Sequence, residues 1–143
     1  MYKSIEYVEK ARALRSRGYN CAQAVACAFL DQVEVDEKTL FAIMEGFGGG
    51  MGGKQATCGA VSGAVAVLSL VSSKGDVSFG TKADTYAAIA PLVSAFEVQN
   101  RSLVCKDLLG AETGVELRSC ELCIEDAVRL TVKALEKREY KRE

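Results

Sequence analysis

Thr57-Cys58-Gly59-Ala60-Val61-Ser62-Gly63-Ala64-Val65-Ala66-Val67-Leu68-Ser69-Leu70-Val71-Ser72 contains no charged side chain and is apolar on nearly every side of a helix. A helix without a polar face must be surrounded by other elements. Thr57 reads as its N-cap, with a body from Cys58 to about Ser72. Gly59 and Gly63 leave a flat surface for close packing. The longest apolar run, Ala60 to Val71, is too short to span a bilayer and is interrupted by Ser62, Gly63 and Ser69. It is therefore expected to be the central helix of a soluble protein.

Outward from this helix, apolar residues recur at helical spacing and the chain has a single Pro. A first helix is expected from Ser4 to about Arg17, with Ile5, Val8, Ala11 and Leu14 on one face and Gly18 as its stop. Asn20 caps a second, Cys21 to about Gln32, and Asp36 caps a third, Glu37 to Glu45, ended by Gly46. A long fifth helix, Thr81 to Asn100, shows Tyr86, Ile89, Val93 and Phe96 on one stripe, with Pro91 as a candidate kink. A short piece follows from Leu103 to Leu109, and Ser119 caps a last helix from Cys120 to about Lys137. The expected fold is all-α: a helical bundle of about five to seven helices with a glycine-rich loop, in one domain spanning 1–143.

That loop is Gly46-Phe47-Gly48-Gly49-Gly50-Met51-Gly52-Gly53, six glycines in eight residues. Glycine loses more backbone freedom on folding than any other residue, so the segment is neither a good helix nor a good strand. Gly48 to Lys54 has the Gly-x-x-x-x-Gly-Lys frame of a phosphate-binding loop, but Gln55 replaces the magnesium-ligating Ser or Thr, and a helix precedes it where a strand is required. The favoured use of Gly48, Gly49, Gly50 and Gly52 is to pack bare backbone against a sulfur-rich centre and donate amides to it; a flexible hinge is the alternative.

The 143 residues carry a formal net charge of −1, without the clustered Lys and Arg of a nucleic-acid binder. The charged N-terminal stretch does not resemble a secretory signal, so a cytoplasmic location is expected. There six cysteines and no His argue for metal or redox chemistry over structural disulfides.

Helical geometry sorts the cysteines. Cys21 shares a face with Ala24, Val25 and Ala28, whereas Cys27 points away and reads as an ordinary small residue. Cys120 falls near the middle of the last helix's apolar stripe and Cys123 toward its flank. Cys21 and Cys58 stand at helix N-termini, where the dipole and free amides favour a thiolate. Cys120-Glu121-Leu122-Cys123 has redox-dithiol or half-zinc-site spacing, but it lacks a second such pair and a preceding strand.

Taken together, Gly18 to Val25, Gly46 to Gly52, Thr57 to Ala64, Cys105 to Gly110, and Cys120 with Ile124, Asp126 and Ala127 resemble the small redox-active proteins named for a C…GCAxxG…C…C cysteine arrangement. The segments occur in the family's order and cover nearly the whole chain. The resemblance implies that Cys21, Cys58, Cys105 and Cys120 are the shared cysteines, with Cys27 and Cys123 outside the pattern. The central motif here runs Cys58-Gly59-Ala60-x-x-Gly63, a different order from that of the family's name.

Four thiols with no histidine suit an iron–sulfur cluster for electron transfer or redox sensing, with those four cysteines as metal ligands. A thiol–disulfide protein without a cofactor and a structural zinc module remain alternatives. Whether the chain is an enzyme is left open. The expected partner is a redox protein; no nucleic acid and no membrane insertion are expected, and self-association into a homo-oligomer is left open.

Overall fold

A computed structural model describes residues 3–142 and shows an all-α protein. Among the described residues seven α-helices follow one another: α1 (Ser4–Ser16), α2 (Cys21–Cys27), α3 (Glu37–Glu45), α4 (Gly59–Ser72), α5 (Lys82–Asn100), α6 (Cys105–Leu109) and α7 (Cys120–Arg142). The central helix is α4, which packs against α2, α5 and α7, while α1 lies on α2 and α7 and α3 lies on α2. Gly63 makes the α2–α4 crossing tight: a Cβ there would sit 2.6 Å from the Ala22 carbonyl oxygen and 3.1 Å from the Val25 Cβ. The buried apolar side chains form one cluster, with Phe29, Val61, Leu68, Phe96 and Val128 among its almost fully enclosed members. No described helix is long and apolar enough to cross a membrane.

Several elements depart from their expected bounds or faces. The second helix ends at Cys27, and a single tighter turn, Leu30–Gln32, follows. Cys58, not Thr57, is the N-cap of α4. On α1 the half-exposed Ile5 gives way to Tyr7, which stacks on Phe29 with ring centroids 4.5 Å apart and donates a hydrogen bond to Asp31.

On α5 the fully buried line is Thr85, Leu92, Phe96 and Asn100, with Tyr86 largely exposed and Ile89 and Val93 only partly covered. Polar residues can occupy this buried line because each has a partner. The Thr85 hydroxyl donates to the Thr81 carbonyl, and the Asn100 amide donates to Asp126. Helix α5 continues through Pro91.

Candidate functional site

Four of the helices deliver their cysteines to one end of the bundle. Cys21 is the first residue of α2, and its position follows from the cap before it. The Asn20 side chain accepts from the Gln23 amide while Gln23 accepts from the Asn20 amide, both at 2.9 Å. Asn20 also donates to the Glu45 carbonyl at 2.9 Å, which ties the start of α2 to the end of α3.

Cys58 and Cys105 are joined through backbone. Thr57 and Val104 form an antiparallel bridge; the Cys58 amide donates to the Leu103 carbonyl at 2.7 Å, and the Cys105 amide to the Ala56 carbonyl at 2.9 Å. Cys120 opens α7 and Cys123 lies one turn further along, after Ser119, whose hydroxyl accepts from the Leu122 amide.

The sulfurs pair across helices. Cys120 is the hydrogen-bond partner of Cys21, and Cys123 that of Cys58. In each pair the α7 member is raised and its partner lowered. The Cys120 thiol holds Cys21 down at about 6, against desolvation, with help from the Gly49 and Ala22 amides and the Arg15 charge. Cys120 is raised in return, chiefly by that same bond and by burial. Cys58 is likewise lowered, first by the Cys123 thiol and then by the Ala60 and Val61 amides at the start of α4, while Cys123 is raised. Both cysteines at helix N-termini are thus shifted toward the thiolate, first by a thiol of α7 and second by the backbone amides. Cys105 is raised by burial and by the charges of Cys58 and Cys21, so it too belongs to this electrostatic cluster.

The glycine segment runs beside these sulfurs in a left-handed turn, with φ of +62° at Gly49 and Gly50, +63° at Met51 and +88° at Gly52. Its four expected contact glycines play different parts. Gly49 donates its amide to Cys21. Gly50 abuts Cys105, since an added Cβ would lie 2.5 Å from the Cys105 Cβ and 2.9 Å from the Ala56 oxygen. Gly48 has no Cβ because the Asn20 side chain occupies that space, whereas nothing lies within 4 Å of a Cβ on Gly52. Gly59, in α4, is pressed against the Cys21 sulfur and the Phe47 carbonyl.

Cys21, Cys58, Cys105 and Cys120 lie within electrostatic reach of one another, although among the described residues no three His, Cys, Asp or Glu side chains are placed to hold a metal ion; Cys27 is raised to about 11 by burial and the Glu37 charge. The structure also corrects the placement of Cys123. This residue is 1% exposed and sits against Cys58, whereas Cys120 is only half-buried. A helical wheel records direction around the axis but not depth along it. Cys120 lies in the first turn of α7, at the end of the bundle, while Cys123 lies one turn deeper, facing the start of α4. The Cys-x-x-Cys spacing was the signal that could have placed Cys123 with its neighbour.

Residues 19–134, which include all six cysteines and the glycine turn, match the family model described as "Putative redox-active protein (C_GCAxxG_C_C)". The chain belongs to this family. It is a cysteine-rich, all-helical member of a redox-active group, and Arg15 lies outside the matched region. No curated protein and no solved structure matches the chain.

Proposed function

We propose that this C_GCAxxG_C_C family member is a redox protein in which Cys21, Cys58, Cys105 and Cys120 hold one iron–sulfur cluster. The observation that carries this reading is the mutual electrostatic influence of thiols at the starts of α2, α4, α6 and α7, with Cys21 and Cys58 both shifted toward the anionic form. The donor set suits the group in kind, with soft thiols, no histidine anywhere in the sequence and a guanidinium to offset negative charge, and the thiols of the described residues would have to draw closer to hold it.

When bound, such a cluster supplies one-electron transfer. The protein's own part is to exclude water and aim dipoles. Cys21, Cys58 and Cys105 are only 6–7% exposed, and amide donation to the sulfurs stabilises the more negative state and so raises a reduction potential. The proposed electron donor or acceptor is another protein.

The Cys21–Cys120 pairing favours a second reading, a reversible disulfide between these two residues. A thiolate beside a protonated partner is the arrangement that thiol–disulfide exchange uses. Anaerobic purification followed by iron, zinc and acid-labile sulfide determination and a visible spectrum separates the readings. Iron and sulfide in stoichiometric amounts support the cluster. Their absence, with a reversible loss of two thiols at Cys21 and Cys120, supports the disulfide, and zinc alone supports neither redox reading.

A further inference from the structure

We propose that the cavity between α3, α4, α5 and the glycine turn is a binding site for a small uncharged ring compound bearing a carbonyl oxygen. The proposal goes beyond the redox reading and depends on neither the cluster nor the disulfide. The cavity measures about 410 Å³, inside the range of roughly 300–1,000 Å³ that small-molecule sites occupy. Its wall is apolar apart from two hydroxyls, those of Thr57 and Ser62, and it contains no charged side chain. Buried Met44 and Val61 form its inner face, while the exposed Ile43, Phe47 and Met51 stand around its mouth.

The hydroxyls set the polar requirement. Among the described residues neither the Thr57 nor the Ser62 side chain has a hydrogen-bond partner. Thr85 and Thr131, by contrast, each donate to the carbonyl four residues earlier. No enclosed side-chain oxygen of the described residues lacks a partner, so the two hydroxyls are open to the cavity they line. Each can donate to an acceptor oxygen on an otherwise apolar molecule. An ionised ligand is disfavoured, because its charge would lose water and meet no opposite charge in the wall.

Met51 sets the preference for a flat ring. It stands in the glycine turn at a φ of +63°, a left-handed angle that its neighbours Gly50 and Gly52 adopt freely and a residue with a β carbon does not. Glycine is the easier residue at such a position, so an exposed methionine held there under strain points to a use for its side chain. A flexible, polarisable thioether packs well at the edge of an aromatic ring, and Phe47, also at the mouth, offers an aromatic face. Thr57 immediately precedes Cys58, and Leu103, another wall residue, accepts a hydrogen bond from the Cys58 amide. The site is thereby set against the backbone that presents Cys58.

The test uses the full-length chain and two probes of nearly the same shape, α-tetralone and tetralin. They differ in the carbonyl oxygen, and neither oxidises nor alkylates thiols. Titration followed by methyl NMR should show saturable α-tetralone binding with a dissociation constant below about 1 mM. Signals of Met44, Met51 and Val61 should shift, while those of Val8 and Val132, outside the cavity wall, should not. Thr57→Val combined with Ser62→Ala should weaken α-tetralone roughly 2- to 10-fold, the loss of one hydrogen bond, and leave tetralin undiminished. Retained tetralin binding shows that the altered cavity is folded. Met51→Gly should melt no lower than the unaltered chain yet bind α-tetralone more weakly. The proposal is overturned by absent α-tetralone binding, by shifts centred elsewhere, or by equal losses of both probes in the hydroxyl variant. Self-association that shields Ile43, Phe47 and Met51 and excludes the probes overturns it too, since a second copy then covers this face.

Discussion

The Arg15 guanidinium lies 3.7 Å from the Cys120 sulfur, although 105 positions separate the two residues. The same guanidinium donates to the Tyr19 carbonyl at 3.3 Å, immediately before the cap of α2. One side chain of α1 thus braces the turn that presents Cys21 and places a permanent positive charge beside the Cys21–Cys120 pair. Guanidinium groups do not lose their proton in proteins, so this charge persists across the pH range in which the thiols titrate.

Arg15→Gln should move the Cys21 thiolate midpoint above its value of about 6, because the Arg15 charge is among the influences that lower it. Arg15→Lys should recover part of the shift. Global stability should change by under about 1 kcal/mol, as expected for a contact near the surface. The rate of iodoacetamide labelling of metal-free chain against pH, read at Cys21 by peptide mapping, checks this; an unmoved midpoint would show that Arg15 only braces the turn.

Cys21 and Cys27 are nearly equally enclosed, 6% and 5% exposed, so access alone predicts similar reactivity. Their charge states differ sharply. Cys21 is held at about 6 by the Cys120 thiol, whereas burial pushes Cys27 up to about 11. At neutral pH Cys21 is therefore mostly thiolate and Cys27 almost wholly thiol. In metal-free chain Cys21 should label first, with a rate that rises through pH about 6 and then levels. Cys27 should label appreciably only on unfolding. Cys120→Ala removes the donor and should push the Cys21 midpoint upward.

Gly50→Ala and Gly52→Ala should separate packing from backbone strain. Both positions have positive φ, so each substitution costs about 1 kcal/mol or more. Only at Gly50 would the new methyl meet the centre, 2.5 Å from the Cys105 Cβ. Overpacking there should add about 1–3 kcal/mol and displace Cys105. Thermal melts combined with Cys105 labelling rates check this. Equal effects at the two positions would mean that the turn matters only as a hinge.

Arg118→Met should lower stability by about 2 kcal/mol, since it leaves the buried Asp126 carboxylate with Asn100 as its remaining hydrogen-bond donor. The loop that presents the Arg118 carbonyl to Cys123 should loosen as well. Denaturant unfolding measures the first effect and the labelling rate of Cys123 the second.

The helices were legible in the sequence because their signals are local. Asp36 caps α3 and Gly46 ends it at the expected residues, and the uniformly apolar run at Gly59–Ser72 marked the centre of the bundle. The N-terminal placement of Cys21 and Cys58 was also readable, and with it the smaller, backbone-amide share of their lowered pKa, because a cap and the amides beyond it are set within one turn of chain; the larger share comes from the Cys120 and Cys123 thiols of another helix. The length of α7 was readable only in part, since the last helix was expected to end near Lys137 yet continues to Arg142.

The partnership of the sulfurs was not readable, because it depends on how deeply one helix is inserted against another. Cys123 appeared peripheral on a wheel, but α7 docks on α4 so that its second cysteine meets Cys58 while its first, half-open at the bundle's end, meets Cys21 and Arg15. In the same way Gly50 and Gly52 are equivalent as letters, and only the folded turn presses one against Cys105 and leaves the other in open space. Residue types and their local spacing determined which groups could become thiolates. Axial docking of the helices, a property of the whole packed core, decided which thiols share a proton.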